Sequence, residues 1–142
     1  MTRVIDFHTH AFPDPVAARA IPALEGAGQV TACLDGRIDS LLGSMDEAGI
    51  GKSVLCSIAT RPEQFASILS WSEAIRSERI IPFPSVHPDA TEALEQISSI
   101  REAGFLGIKM HPSKISCWTK SGCGRSMKDH GRWSDFGDAH RL

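Results

Sequence analysis

Short apolar runs alternate with segments of helical periodicity through the first 112 residues of this 142-residue chain. The runs lie at residues 4–7, 53–58, 80–86 and 105–110. Between the later runs, apolar side chains recur every three or four residues, as on the face of a helix that packs against a sheet. Strands separated by helices of this length pair in parallel, so the order predicts an α/β fold with about four βα units.

Three helices and one long loop are expected between these strands. The first helix covers residues 38–48 and ends at Gly49, a residue type preferred at helix C-caps. The second follows Pro62, and the third starts at an Asp-x-x-Glu sequence at residues 89–92 that resembles a capping box. Residues 11–36 are rich in Pro, Ala and Gly, and we expect a loop there.

The pattern stops at Ser113. Residues 113–142 contain only two Val, Ile or Leu residues, against 25 in residues 1–112, and their formal charge is +3 against −5. A segment this poor in apolar residues cannot supply further βα units. We therefore divide the chain into a domain at 1–112 and an irregular tail at 113–142, and we interpret the tail as the product of a shifted reading frame that leaves the domain truncated.

Composition and charge exclude several classes of protein. A formal net charge of −2 gives no indication of a nucleic-acid partner or an anionic membrane surface. No apolar stretch approaches the roughly 20 residues of a membrane span, and no signal peptide is recognisable at the start. The four cysteines form no CxxC pair, so we expect a reduced, cytoplasmic protein. The partner that we expect is a small-molecule substrate.

The sequence Asp-Phe-His-Thr-His at the end of the first strand is the candidate metal site. Alternate residues of a strand point to the same side, so Asp6, His8 and His10 share a face. Ligands of parallel α/β folds gather at the carboxyl ends of the strands, where these histidines lie. We predict His8 and His10 as ligands of a divalent metal, most simply zinc, with Asp6 behind them. The alternative is that these are unrelated polar residues at a strand end, with Asp6 bound to the backbone.

Other polar residues follow the later strands. His87 ends the third run, and Lys109 and His111 end the fourth and share one face. His87, Lys109 and His111 are candidates for the substrate pocket, whereas the catalytic residue itself is not assigned. The alternatives are a strand-end cap for His87 and, for Lys109, a side chain whose aliphatic stem covers apolar surface.

Four segments, IDFHTHAFPD, LLGSMDEAGIGKSVLCSIA, IIPFPSVHPD and EAGFLGIKMHP, occur in the order found in the metal-dependent amidohydrolase superfamily. The chain most resembles its amidohydrolase-related branch, which includes aminocarboxymuconate-semialdehyde decarboxylase-like enzymes. The resemblance covers residues 1–112 and implies the N-terminal half of a (β/α)8 TIM barrel. It also implies that His8 and His10 bind the metal, and that Lys109 and His111 lie at the pocket. The later-strand histidines and the eighth-strand aspartate of that family have no counterpart here.

Several functions remain open from the sequence. The first is a metal-dependent hydrolase that acts on a small carbonyl or carboxylate substrate through a metal-activated water, weakly active or inactive as this chain. The second is a non-oxidative decarboxylase of the same family. A third enzyme class is the phosphoesterases that also have His-x-His near the N-terminus. The non-catalytic alternatives are an inactive fragment, and a tail-based zinc or nucleic-acid site built from Cys117, Cys123, His130 and His140.

A half-barrel has physical consequences. The edges of its first and last strands are exposed, so self-association through these edges is expected. Two ligands from one strand bind a metal weakly, because catalytic zinc sites usually offer three protein ligands. We therefore expect no robust hydrolysis by the isolated protein.

Overall fold

A computed structural model describes residues 4–110, which form a three-stranded parallel sheet with helices packed against it. The strands are β1 (Val4–Thr9), β2 (Ile50–Cys56) and β3 (Ile80–Phe83), in the order β1-β2-β3. Asp6 of β1 pairs with Ser53, and Cys56 of β2 pairs with Phe83. The predicted α/β class and parallel pairing are therefore correct for this part of the chain.

Four α-helices connect and follow these strands. They are α1 (Asp14–Gly28), α2 (Ile38–Ala48), α3 (Phe65–Ile75) and α4 (Ala93–Glu102), and a short 3-10 turn at Pro62–Gln64 precedes α3. The predicted end of α2 is confirmed, because Gly49 adopts the left-handed conformation with φ 67°. The predicted capping box at 89–92 is wrong, since α4 begins later and its N-cap, Glu92, makes no side-chain capping bond.

The loop expected over residues 11–36 is wrong for residues 14–28, which form α1. Alanine is the strongest helix former, and this segment holds several alanines. Proline fits the first helical turn, where its missing N–H has no partner to lose, and Pro15 lies there. The prediction gave too much weight to proline as a helix breaker.

The predicted half of a TIM barrel, with about four βα units, is also wrong, and so is the predicted fourth strand. Residues 105–110 make one isolated parallel bridge, between Lys109 and Ser85, and form no strand. Leu106 in this segment is 81% exposed, so no neighbouring layer holds it in a sheet. Gly107 lies flat against the ring of Phe83, where a Cβ would come within 2.6 Å of ring carbons. Within residues 4–110 three strands pair in an open sheet, whereas half of such a barrel needs four strands and the closed barrel eight.

The core lies around β2. Val54 and Leu55 point to opposite faces of the sheet and are 1% and 0% exposed, so both faces are covered. One apolar cluster joins Leu55 to α2 through Leu41 and Met45, with Trp71 of α3 packed against it. This packing holds the carboxyl ends of the strands in place.

Within residues 4–110, none of the helices combines the length and the apolar character needed to cross a membrane. The tail at 113–142 and the four residues of its alternative zinc site lie outside the described residues, as does His111.

Candidate functional site

The two predicted ligands lie together at the carboxyl end of β1. His8 is in the strand and His10 directly follows it. Their ring centroids are 4.9 Å apart, with the ring planes at 65° in an edge-to-face arrangement. Both side chains are exposed. The structure therefore places the two imidazoles side by side at the surface, as the alternation of a strand predicts.

The strand is irregular at this point. Asp6 pairs with Ser53 and Thr9 with Leu55, so three steps along β1 match two along β2. Such a bulge changes the direction in which side chains leave the strand. The Thr9 hydroxyl donates to the backbone carbonyl of Val54 at 3.0 Å and holds the strand end against β2.

The second strand orients the ring of His10. Its Nδ1 lies 2.8 Å from the backbone carbonyl oxygen of Cys56. A carbonyl oxygen only accepts, so Nδ1 carries the proton and donates, and in the neutral ring Nε2 carries the lone pair. A backbone carbonyl behind one ring nitrogen is a common support for histidines that bind a metal through the other.

Lys109 is the third group at this place. Its Nζ lies 3.4 Å from Nε2 of His8, although 101 residues separate the two in the sequence. The bridge between Lys109 and Ser85 delivers the side chain here, and the Lys109 N–H donates to the carbonyl of Pro84 at 2.9 Å. The sequence predicted a pocket role for Lys109, and the structure brings it to the histidine pair.

Asp6 contacts the backbone of the site. Its Oδ1 accepts a hydrogen bond from the backbone N–H of His8 at 3.1 Å. Of the two alternatives drawn from the sequence, orienting an imidazole or bonding the backbone, this contact corresponds to the second. The carboxylate stiffens the bulge that directs the histidines.

His87 is buried at the end of the segment that follows β3. Its Nδ1 accepts a hydrogen bond from the N–H of Asp89 at 3.2 Å, and its carbonyl accepts from the N–H of Ala90. An N–H donor at Nδ1 requires the lone pair on that nitrogen. These contacts are those of the strand-end cap that the sequence left open as an alternative.

The Cys56 thiol is a group that the sequence reasoning did not single out. It is buried at the end of β2, and burial raises the pKa of the thiol, while the positive charge of Lys109 opposes part of this shift. A low dielectric disfavours the thiolate. The apolar run SVLCSI indicated the burial of Cys56, but its position beside His10 depends on strand pairing.

Within residues 4–110, no group of three His, Cys, Asp or Glu side chains is arranged to hold a metal ion. The histidine pair supplies two nitrogens, and the predicted neighbour His111 lies outside the described residues.

No protein-family model, curated protein or solved structure matches this chain in comparisons with all three. The likeness to amidohydrolases is therefore carried by the four sequence segments alone and stays a prediction.

Proposed function

We propose that this chain acts on a small substrate bearing a carbonyl or carboxylate group, as a metal-dependent hydrolase, with His8 and His10 as metal ligands. The observation that supports this most is the triangle formed by the two imidazoles and Lys109 at the carboxyl end of a parallel sheet. In parallel α/β folds this end of the sheet is where ligands bind.

The donor set fits a divalent transition metal. Two nitrogens bound to one tetrahedral zinc, each at about 2 Å, lie about 3.3 Å apart. Neighbouring rings with centroids 4.9 Å apart permit that separation. The contact with the Cys56 carbonyl puts the proton of the neutral His10 ring on Nδ1 and its lone pair on Nε2. Imidazole suits zinc and related ions.

A bound divalent ion would lower the pKa of a water molecule and polarise a carbonyl group. Lys109 would then bind the substrate. Its ammonium group has donors only, and it is half-buried beside the histidines, which suits a carboxylate or a developing oxyanion. Since two imidazoles hold a metal more weakly than three, we expect partial occupancy in dilute protein and slow turnover.

A non-oxidative decarboxylase is the second candidate, and Lys109 is the observation that favours it. An ammonium 3.4 Å from a candidate metal ligand can hold the carboxylate that is to be lost. Two assays distinguish these reactions. A decarboxylase releases CO₂ from a hydroxybenzoate, whereas a hydrolase cleaves a 4-nitrophenyl ester.

Metal binding is tested by titrating the full chain with Co²⁺ and following its visible absorption, which reports nitrogen ligation. The informative variant is His10→Asn. The Asn amide nitrogen can still donate to the Cys56 carbonyl, while the nitrogen equivalent to Nε2 is gone. We expect the absorption of the histidine-bound ion to fall at least ten-fold in this variant and in His8→Asn.

His87→Asn is the matched control, because Asn retains an acceptor for the N–H of Asp89. We expect it to bind Co²⁺ like the unaltered chain. The proposal would be contradicted if the Co²⁺ absorption fell equally in His87→Asn and His10→Asn, or if it changed in neither variant.

A further inference from the structure

The histidine pair lies at the end of an edge strand. In the sheet formed by residues 4–110, β1 pairs with β2 on one side, and no strand pairs with its other side. His8 and His10 are both exposed at the carboxyl end of β1, with ring centroids 4.9 Å apart. A second macromolecule can therefore reach the two imidazoles as readily as a small substrate can.

The part of β1 that precedes these histidines is apolar and exposed. Val4, Ile5 and Phe7 all present large apolar side chains at the surface. Contiguous exposed apolar surface marks sites of protein–protein contact, and an edge strand adds backbone groups that pair with a further strand. The strand that carries the candidate ligands therefore also carries a surface suited to a protein partner.

The number of ligands identifies that partner as a second copy of this chain. Within residues 4–110, the histidine pair supplies two nitrogens, and no third His, Cys, Asp or Glu side chain is arranged with them to hold an ion. A zinc ion in a closed site takes four ligands in a tetrahedron. Two copies related by a two-fold axis through the ion supply two nitrogens each, and they present the same surface to one another.

We infer that His8 and His10 of two copies hold one divalent ion between them, so that the metal joins the chain into a dimer. The inference rests on the proposed function, which assigns the two ligands of each copy. An ion with four protein nitrogens has no position left for water, whereas catalytic sites keep one position open. The metal-bridged dimer is therefore the resting form of the site, and the single chain with its own ion is the reactive form.

Lys109 opposes the bridge. Its ammonium nitrogen lies 3.4 Å from Nε2 of His8, and a dimer brings two such groups to one ion. Because each ammonium repels the divalent charge, their effects on the dimer multiply. With a weakening of about ten-fold for each ammonium, Lys109→Met should favour the metal-bridged dimer about 100-fold at low salt. Lys52→Met, on β2, is the matched control and should change the amount of dimer little.

Sedimentation equilibrium of the full chain with increasing Co²⁺ tests the bridge. The protein is first treated with a chelator and studied at a concentration where the metal-free chain is monomeric. We expect the weight-average mass to rise from 15.4 kDa toward twice that value and to reach its maximum at one ion for every two chains. Excess Co²⁺ should lower the mass again, because each chain then takes its own ion.

Histidine variants assign the ligands of the bridge. His8→Asn and His10→Asn should both remove the increase in mass, since each leaves one imidazole per copy. Both positions are exposed, so we expect the fold to be retained, and circular dichroism of the metal-free variants checks this. His87→Asn replaces a buried histidine and should form the dimer like the unaltered chain.

The results that contradict the inference differ from those that contradict the proposed function. If Co²⁺ binds through the histidine pair and the chain stays monomeric at every ratio, the inference is overturned and the proposed function stands. The inference is also overturned if the mass increase persists in both His8→Asn and His10→Asn, or does not fall with excess Co²⁺. If the Co²⁺ absorption is unchanged in both variants, the proposed function fails, and the inference fails with it.

Discussion

The Nδ1 atom of His10 lies 2.8 Å from the backbone carbonyl oxygen of Cys56, so the second strand orients a ring carried by the residue after the first. The contact uses the backbone of Cys56 and not its thiol, so no side-chain substitution at Cys56 removes it directly. The orientation of the His10 ring therefore depends on the parallel pairing of β1 and β2. The same sheet also brings Lys109, which lies in the segment after β3, to within 3.4 Å of His8.

Replacing Lys109 with Met is expected to tighten zinc binding about ten-fold. An ammonium 3.4 Å from a candidate ligand nitrogen repels a divalent cation, and at this surface the repulsion is worth about 1–2 kcal/mol in dilute salt. Isothermal titration calorimetry with Zn²⁺ at low and at high ionic strength measures the zinc affinity of both proteins. The difference in affinity between Lys109→Met and the unaltered chain should be smaller at high salt. Lys52→Met, on β2, is the control and should change the affinity little. A weaker affinity in Lys109→Met would show that Lys109 supports the metal.

The Cys56 thiol is expected to make the folded state less stable at alkaline pH. Burial raises the pKa of this thiol in the folded protein, so the unfolded chain loses the proton first. The free energy of unfolding should therefore fall as the pH rises above about 8.5, the ordinary pKa of a thiol. Urea unfolding at several pH values compares the unaltered chain with Cys56→Ala, in which this part of the decrease should be missing.

Cys33 is the control for thiol accessibility. It is exposed, whereas Cys56 is 7% exposed. Brief alkylation of the native protein at neutral pH, followed by peptide mapping, should modify Cys33 and spare Cys56. Equal modification of both would contradict the burial on which the pH prediction depends.

Two buried serines should differ in how much stability their substitution by alanine costs. The Ser85 hydroxyl accepts a hydrogen bond from the N–H of Ala59 at 3.0 Å, so Ser85→Ala leaves a buried donor without a partner and should cost about 1–3 kcal/mol. The Ser57 hydroxyl has no partner within residues 4–110, so Ser57→Ala should change the free energy of unfolding by less than about 0.5 kcal/mol or stabilise the protein. Chemical denaturation of both variants measures the difference.

Self-association through β1 is expected to depend on Phe7. In the sheet formed by residues 4–110, β1 is an edge strand, and Phe7 on it is 68% exposed. An exposed apolar edge pairs readily with a second copy, and lysine at an edge blocks such pairing. Phe7→Lys should therefore lower the weight-average mass in sedimentation equilibrium. Leu94→Lys, at a position on α4 that is 77% exposed, is the control. An equal decrease in both variants would point to general hydrophobic association.

The local elements of the fold were largely predictable. The helix at 38–48 follows from helical spacing and is present with those bounds, and the strand predicted at 53–58 from a continuous apolar run is present at 50–56. The failures have local causes as well. The Pro and Ala content of residues 14–28 suggests a loop where a helix forms, and the apolar run at 105–110 suggests a strand where only Lys109 makes a bridge.

The half of a TIM barrel implied by the resemblance is not formed by residues 4–110, and the order of these elements could not decide the matter. The order of βα segments is the same for an open sheet and for a barrel, since both alternate strands and helices in parallel. What distinguishes them is whether the last strand pairs with the first, a contact between segments far apart in the chain.

By itself the sequence determined the α/β class, the face shared by His8 and His10, and the burial of β2, because each depends on the spacing of side chains within one segment. Only the tertiary structure decided which groups meet those histidines. The Cys56 carbonyl reaches His10, and the ammonium of Lys109 reaches His8, through the pairing of separate strands and the bridge between Lys109 and Ser85. The periodicity of side chains within one segment cannot predict these contacts, because they join segments that are far apart in the sequence.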